Sequence, residues 1–381
     1  MSNSIYFNEY HQMLRDQVRR FVETEIIPHG DPWEEAGVTP REVLRKMGEL
    51  GFLGIRYGAE YGGSEMDVLA TIVLAEELGR STFGGFAITV LVHTDMASPH
   101  LANAGSLVQQ QHYMPGIVKG ETITAVAVTE PGAGSDVASI QTKATPTNGG
   151  WLINGSKVFI TNGVHADVYF VAAKTNPDGP RSQRTTMFIV EKGSPGFTVA
   201  RKLEKMGWRS SDTAELLFQD CFVSEAQVLG EQHHGFYAIM KNFQNERLVL
   251  GAQALGEAQK ALDLTLDYVR NRKAFGATLW DKQAIRLRLA ERQTEVEAAR
   301  QLLYHSAWLD SQGVDCVKQV SMVKAYCGEL VNRVMYDCQQ FHGGSGYMRG
   351  MPIERMVRDA RVQSIGGGAT EVMYEEVAKR L

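Results

Sequence analysis

A carboxylate at position 246 lies where a purely structural role is hard to assign. The segment 235–255, GFYAIMKNFQNERLVLGAQAL, repeats apolar side chains at helical spacing, and Glu246 falls on or beside that apolar face, between Phe243 and Leu250. An ionised carboxylate among apolar neighbours is costly, so we expect the pKa of Glu246 to be raised. A raised pKa suits a base that must collect a proton and hold it. The spacing alone also allows a Glu that pairs with Arg247 or turns toward solvent.

A second candidate for chemistry is the glycine-rich turn within AVAVTEPGAGSDVAS, residues 125–139, which follows a strand-like run. Its glycines let the backbone approach a ligand closely, while Thr129, Ser135 and successive N–H groups can bond a polar heterocycle or a phosphate. No third glycine follows and the next residues are strand-like, so a nicotinamide-type Rossmann site is not expected. The nearby FITN run, residues 159–162, offers an aromatic face and a hydroxyl. Taken alone, both segments also fit ordinary sheet and loop positions.

Helical periodicity positions these residues at both ends of the chain. It extends to about Gly120, where Asp67 is a candidate N-cap for the apolar run that follows it. Beyond Gly235 it returns in long segments, at about 236–272, 281–312 and 317–342, with a final short helix from about Thr370.

Short runs rich in β-branched and aromatic residues fill the middle, from Thr122 to about Leu229. The Asn154-Gly155 pair between two such runs predicts a hairpin. The predicted fold class is therefore α+β and multidomain. It comprises an N-terminal α-helical domain over 1–121, a middle antiparallel β domain over 122–233, and a C-terminal α-helical bundle domain over 234–381.

Composition predicts a large globular protein without nucleic-acid-binding character. The 381 residues are 44% hydrophobic and carry a net charge of −5, so no broad basic excess is available to neutralise phosphates. The four cysteines show no CxxC pair and are expected to be buried, reduced thiols of a cytoplasmic protein without structural zinc. No integral membrane segment is expected, because no apolar run approaches a spanning length.

Five segments together resemble the ordered signature elements of the acyl-CoA dehydrogenase family. They are VTEPGAGSD at 128–136, FITNG at 159–163, KMGWRSSDT at 205–213, RNRKAFG at 270–276 and QFHGGSGYMRGMPIERMVRDAR at 340–361. The resemblance covers essentially the full chain. It implies the family's fold with a C-terminal four-helix bundle, a homotetramer with one FAD per subunit, and oxidation of an acyl-CoA thioester to the trans-2-enoyl-CoA. Electrons would then pass to an electron-transfer flavoprotein.

The chain departs from the family where most members carry the catalytic Glu. The sequence RVQSIGGGATEVM has Gly367 at that position, after Gly366 where a Tyr is common. Members that resemble isovaleryl-CoA and long-chain acyl-CoA dehydrogenases instead supply the base from an ERL-type sequence, which matches Glu246-Arg247-Leu248. The resemblance therefore implies Glu246 as the catalytic base. The N–H of Gly367 would still donate to the thioester oxygen, as enolate stabilisation requires. Arg247 would orient the base, although a simple salt bridge is an equal alternative.

The resemblance also implies the ligand contacts. A first set packs on the isoalloxazine ring of FAD or bonds its polar edge: Ala127, Thr129, Ser135, Phe159 and Thr161. A second set reaches the FAD of a neighbouring subunit, with Arg272 on its pyrophosphate: Arg272, Phe275 and Gln283. A third set lies near the adenosine half: Gln340, Gly344, Thr370 and Glu371. The acyl-CoA would contact Ser135, Phe243, Arg247 and Gly366. From sequence, Arg272 also fits a partner of the helix dipole and Phe275 a core residue.

Gly366 leaves volume where a Tyr would fill it, which favours a short-to-medium acyl chain branched at C3, such as an isovaleryl or a citronellyl-like chain. A long straight chain is the second candidate. Two other classes stay open: a non-catalytic FAD-binding scaffold, and a flavin oxidase or monooxygenase that passes electrons to oxygen. A hydrolase fits less well, because GGSGY around Ser345 lacks the GxSxG elbow.

Overall fold

Helices occupy both ends of the chain, and strands occupy its middle. The computed structural model describes residues 5–381. The N-terminal helices are α1 (Glu9–Phe21), α2 (Gly30–Ala36), α3 (Arg41–Glu49), α4 (Val68–Gly79), α5 (Gly84–Leu91), α6 (Ser98–Ala104) and α7 (Leu107–Val118). Two π-helical segments, Val22–Ile26 and Val92–Ala97, continue α1 and α5. Asp67 caps α4 as predicted, because its side chain accepts the N–H of Ala70.

The middle of the chain forms a twisted, mostly antiparallel sheet. Its strands are β1 (Thr124–Ala127), β2 (Lys143–Thr147), β3 (Gly150–Thr161), β4 (Val168–Lys174), β5 (Thr185–Glu191), β6 (Phe197–Lys202), β7 (Thr213–Ser224) and β8 (Val228–Leu229). Their order is β6-β7-β3-β2-β4-β5-β8, and β1 pairs in parallel with β4. The expectation of an antiparallel domain is thus modified at two places: β1 runs parallel to β4, and β2 pairs in parallel with β4 at Lys143. The glycine-rich turn and the β2–β3 hairpin provide the crossover that the β1–β4 pair needs.

The hairpin predicted at Asn154-Gly155 is wrong. Both residues lie inside β3, where the register with β7 shifts between Ile153 and Gly155. The turn instead uses the preceding pair, Asn148-Gly149, between β2 and β3, with φ +76° at Gly149. The strand continues through Gly155 because residues on both sides of it pair with β7.

Long helices form the C-terminal bundle. They are α8 (Gly235–Asn271), α9 (Gln283–Ser311) and α10 (Val317–His342), followed by the short helices α11 (Pro352–Ala360) and α12 (Thr370–Ala378). A small hairpin, β9 (Lys273–Ala274) and β10 (Ala277–Thr278), separates α8 from α9. Helix α8 packs against α4, α9 and α10, so the main core joins the two ends of the chain. The predicted helical, β and helical order is confirmed, and the four cysteines are free and buried as predicted. No helix within residues 5–381 is long and apolar enough to cross a membrane.

Candidate active site

Glu246 is buried on α8, with 8% of its surface exposed. Its Oε1 accepts a hydrogen bond of 2.9 Å from Asn242 Nδ2, one helical turn earlier. Burial raises the pKa of Glu246 to about 8, against the smaller opposing effects of the Asn242 hydrogen bond and the charge of Arg247. Within the described residues Glu246 makes no ion pair with Arg247, whose guanidinium lies 5.6 Å from the centre of the Phe243 ring. Both structural alternatives for Glu246, an Arg247 salt bridge and a solvent-facing side chain, are therefore wrong.

The π-helical segment Val92–Ala97 lies directly behind Glu246. Asn242 Nδ2 also donates to the carbonyl of Met96 at 3.0 Å. At the other side of the same segment, His93 Nδ1 lies 3.0 Å from Thr124 Oγ1 at the start of β1. Single π-helical turns are frequent at functional sites, where they displace the local register of a helix. This one ties α8, and with it Glu246, to the strand that leads into the glycine-rich turn.

The glycine-rich turn is fixed to β3 by a buried lysine. Lys157 Nζ donates to the carbonyl of Val128 at 3.0 Å and to Glu130 Oε1 at 2.8 Å. The N–H of Val158 donates to the carbonyl of Thr129 at 2.9 Å. Burial lowers the pKa of Lys157 to about 8, although the carboxylate of Glu130 opposes that change. These bonds hold the residues after Ala127, which ends β1, beside Phe159 on the neighbouring strand.

An aromatic ring and free hydroxyls surround this turn. Phe159 sits at a bulge of β3 with φ +61° and is 69% exposed, so its ring faces outward from the sheet. Within residues 5–381 the side-chain hydroxyls of Thr129, Ser135 and Thr161 have no hydrogen-bond partner. Side-chain positions at the two glycines of the turn, Gly132 and Gly134, face open space. A flat apolar face with polar groups at its rim can hold a flat heterocycle.

Gly367 lies beside α8, one turn beyond Glu246. Its φ is +64°, and a Cβ at this position would overlap Cδ1 of Leu250. Gly366 differs, because the atom nearest to a Cβ there is Cγ2 of Val362 at 3.6 Å. A side chain therefore fits at position 366, whereas at position 367 it would require Leu250 to shift and a left-handed φ to be kept.

The second predicted set projects from the bundle. Phe275 occupies the tip of the β9–β10 hairpin with φ +54° and 95% exposure, so the interpretation of Phe275 as a core residue is wrong. Arg272 ends α8 and Gln283 begins α9; both are exposed, and the Arg272 guanidinium has no carboxylate partner among the described residues. A left-handed backbone at a residue with a large side chain costs free energy, and so does an exposed phenyl ring. Both costs would be offset if a partner outside the chain covered the ring.

The third predicted set lies at the far ends of helices. Gln340 and Gly344 are exposed where α10 ends, and nothing lies within 4 Å of a Cβ at Gly344. Thr370 begins α12 but donates its hydroxyl to Glu329 Oε1 at 2.9 Å, whereas Glu371 is exposed.

Three contributors to this region were missed at the sequence level. Asn242 precedes Glu246 by four residues, a helical spacing that could have identified it as a partner. The Lys157–Glu130 pair and the π-helical segment carry no such local signal, because they depend on contacts between distant segments.

Comparison with known proteins gives a consistent result along the whole chain. The family models for the N-terminal, middle and C-terminal domains of acyl-CoA dehydrogenase match residues 8–121, 125–221 and 233–381. The mitochondrial long-chain specific acyl-CoA dehydrogenase of Mus musculus is 39% identical, over 98% of this chain and 87% of the relative. The mitochondrial isovaleryl-CoA dehydrogenase of Pongo abelii is 37% identical, over 96% and 87%. The crystal structure of an acyl-CoA dehydrogenase from Geobacillus kaustophilus has a TM-score of 0.95 at 40% identity, covering 99% of both chains.

The three family matches, the identities of the relatives and the shared fold all indicate the same family and the same class of reaction. The protein is an FAD-dependent oxidoreductase that acts on acyl-CoA. The chain belongs to the acyl-CoA dehydrogenase family.

Proposed function

We propose that the protein dehydrogenates a short-to-medium acyl-CoA branched at C3 and transfers the electrons to an electron-transfer flavoprotein. The observation that carries the catalytic part is the buried carboxylate of Glu246. Burial raises its pKa to about 8, Asn242 binds it, and Gly367 offers no carboxylate of its own. A carboxylate in that environment is a strong enough base to hold a proton taken from carbon.

The chemistry of the donor set around the glycine-rich turn fits FAD. The exposed Phe159 ring would pack on the isoalloxazine, and the unpartnered hydroxyls of Thr129, Ser135 and Thr161 would bond its polar edge. Ala127 has no exposed surface and would lie beneath these contact residues. Arg272, Phe275 and Gln283 would reach the FAD of a neighbouring subunit, which gives the exposed Phe275 ring a cover. Gln340, Gly344 and Glu371 would approach the adenosine half. Thr370, whose hydroxyl is engaged with Glu329, would contribute through its backbone.

In the proposed reaction, Glu246 removes the α-proton of the thioester. The N–H of Gly367 donates to the thioester oxygen, where negative charge develops as the C–H bond breaks. Phe243, Arg247 and Ser135 line the bound thioester, and the cation of Arg247 favours the ionised form of the base. Bound FAD, held by the residues around the glycine-rich turn, would supply the acceptor for the hydride that leaves Cβ. The buried walls around Glu246 keep water away from the base and strengthen each of these interactions.

Space and polarity favour a short branched chain over a long straight one. A Cβ at Gly366 would meet no atom closer than 3.6 Å, and we expect this space to accept the methyl branch. Further along, a cavity of about 590 Å³ begins at Asn242, and its wall includes Asp95, Asn245 and Arg56. Asn245 Nδ2 bonds Asp95 Oδ1 at 3.1 Å, and Arg56 bonds Asn245 Oδ1 at 2.7 Å. A long polymethylene chain placed there would desolvate polar groups without replacing their bonds to water.

Competition between thioesters tests the substrate class. We expect higher kcat/KM for isovaleryl-CoA and citronellyl-CoA than for octanoyl-CoA and palmitoyl-CoA. Gly366→Ala should fold normally and narrow the site, so it should lower kcat/KM for the branched thioesters by at least about tenfold relative to octanoyl-CoA. A preference for palmitoyl-CoA over both branched thioesters would overturn the branched assignment in favour of the long-chain one.

The electron acceptor, the assembly and the location complete the proposal. Reduced enzyme should be reoxidised rapidly by an electron-transfer flavoprotein and slowly by air; rapid air oxidation with peroxide release would favour the oxidase alternative. Light scattering should give a mass of four chains. Persistent flavin absorbance after anaerobic addition of every thioester would favour the scaffold alternative. The free, buried cysteines support the proposed cytoplasmic location.

A further inference from the structure

Segment 363–368, which carries Gly367, has no side chain to hold it over its last three residues. Gly366, Gly367 and Gly368 are consecutive and contribute no side chain, and φ is +64° at Gly367 and +105° at Gly368. Glycine adopts such φ values easily but loses more conformational entropy than other residues when it is fixed. Contacts from other residues must therefore fix the direction of the Gly367 N–H. The contacts that reach both ends of the segment come from α10, beside weaker bonds of 3.4 Å from the Thr370 hydroxyl to the carbonyl of Ser364 and from Gln363 to Glu257.

Three residues of α10 at intervals of four form a stripe against this part of the chain: Lys324, Gly328 and Asn332. Asn332 Nδ2 donates to the carbonyl of Ala360 at 3.0 Å. At Gly328 the helix approaches so closely that a Cβ would lie 2.6 Å from the carbonyl oxygen of Gln363. Residues four apart share one face of a helix, so these contacts act side by side.

Lys324 makes the contacts nearest to Gly367. Its Nζ donates to the carbonyl of Gln363 at 2.6 Å and to the carbonyl of Gly368 at 2.9 Å. The two acceptors bracket segment 363–368, so one ammonium group closes the segment into a loop. A Cβ built at Gly367 would lie 3.7 Å from Cε of Lys324, which places the cation close to the Gly367 backbone.

Lys324 is also a buried cation without an ion-pair partner among the described residues. It is 1% exposed, and within residues 5–381 no carboxylate lies at ion-pair distance from it. A buried, unpaired ammonium group destabilises the fold, and burial lowers the pKa of Lys324 to about 8. The charge of Arg247 lowers the pKa of Lys324 further, and the charge of Glu329 opposes that effect. A negative charge that develops on a ligand close to Lys324 would stabilise its ammonium form.

We propose that Lys324 is a positioning residue for the reaction: by binding the carbonyls of Gln363 and Gly368 it aims the Gly367 N–H at the thioester oxygen and places positive charge beside the enolate. This inference rests on the proposed roles of Glu246 and Gly367. In the step concerned, the Cα–H bond breaks, the proton passes to the Glu246 carboxylate, and the electron pair moves onto the thioester oxygen.

A substrate analogue isolates that step from oxidation. In an acyl-CoA with sulfur in place of the β-carbon, no Cβ–H remains to leave as hydride, but the α-proton can still exchange. Exchange of α-protons in D₂O, followed by mass spectrometry, therefore measures enolate formation alone. We expect Lys324→Met to retain FAD and to bind the analogue within about threefold of the unmodified protein, while α-proton exchange falls about 10- to 100-fold, in the range of a misplaced oxyanion donor. Amide hydrogen exchange of segment 363–368 should become faster.

Two further variants make the outcome interpretable. Lys318→Met removes a lysine from the same helix away from the segment and should leave exchange unchanged. Glu246→Gln should abolish exchange; if it does not, the proposed base is wrong, whatever Lys324 does. An exchange rate in Lys324→Met within threefold of the unmodified protein, alongside loss in Glu246→Gln, would overturn the role of Lys324 alone.

A structural measurement covers the case in which Lys324→Met does not fold. A crystal structure of the holoenzyme with the analogue should show Nζ on both carbonyls and the Gly367 N–H directed at the thioester oxygen. An ammonium group displaced from either carbonyl in that complex would contradict the proposal.

Discussion

Asn242 Nδ2 donates a hydrogen bond of 2.9 Å to Oε1 of Glu246, and this bond is the closest polar contact of the buried carboxylate. The amide stabilises the ionised form, so it limits the rise in the pKa of Glu246 that burial causes. The first prediction follows from this pair. Asn242→Leu should move the rising limb of the pH profile of kcat/KM to higher pH by about one unit.

Gln253→Leu is the matched control for that shift, because Gln253 Nε2 makes the same hydrogen bond across one turn of α8, but to Glu257 rather than to Glu246. The pH profile of this variant should keep its midpoint. A profile that is unmoved in Asn242→Leu would show that the amide does not set the ionisation of the base.

Glu246→Gln should abolish turnover while preserving the shape of the site. The amide cannot accept a proton, so the rate of flavin reduction by substrate should fall by at least about 10³-fold with FAD content and thioester affinity retained. Stopped-flow absorbance under anaerobic conditions measures that rate. Glu257→Gln provides a matched control: Glu257 is equally buried on α8, and burial raises its pKa to about 8, yet it lies three turns further along. Loss of reduction in both variants would point to damage to the helix.

The pH dependence of the unmodified enzyme should report the same carboxylate. Because the base acts in its ionised form and its pKa is raised to about 8, activity should be low in acid and rise with pH. We expect kcat/KM to increase by about tenfold per pH unit at low pH and to level off above about pH 8. A plateau that already begins near pH 5 would mean that the base titrates like an exposed carboxylate.

Gly367→Ala should disrupt the oxyanion donor and the fold around it. The left-handed φ of +64° and the overlap of a Cβ with Leu250 together predict a loss of about 2–3 kcal/mol in the free energy of unfolding. Urea denaturation at constant FAD measures the loss. In Gly366→Ala, one residue earlier, the added Cβ would lie no closer than 3.6 Å to any atom. The free energy of unfolding of this variant should therefore stay within about 0.5 kcal/mol of that of the unmodified protein. Equal destabilisation of the two variants would contradict the geometry described for Gly367.

Phe275→Ala should weaken cofactor retention without damaging the subunit. If the exposed ring covers FAD across a subunit boundary, reconstitution of the apoprotein should show a Kd for FAD raised by about tenfold or more. Phe222→Ala removes a phenyl group that is 44% exposed on β7 and should leave the Kd unchanged. An unaltered Kd in Phe275→Ala would leave the ring without the proposed function.

Helix existence and order could be predicted from the sequence because the apolar repeat of α8 and the cap of α4 are local signals. The position of the hairpin could not be predicted, because Asn148-Gly149 and Asn154-Gly155 carry the same turn signal. Only the pairing of β3 with β7 distinguishes the two sites. The burial of Glu246 could be predicted from its position on the apolar face of α8, between Phe243 and Leu250. Its partner Asn242 was within reach of the same reasoning, whereas the contacts of Lys157 and Lys324 join segments 27 to 44 residues apart and become visible only in three dimensions.

The separation of the proposed proton acceptor from the segment that carries Gly367 has a consequence for evolution and for engineering. The Glu246 carboxylate belongs to α8, the longest helix of the bundle. In the proposed reaction, residues 363–368 contribute only the main-chain N–H of Gly367. If these proposed roles hold, substitutions at position 366 should change which thioesters react without altering the acid–base chemistry of Glu246. A scaffold with that division of labour is a favourable starting point for directed changes of chain selectivity.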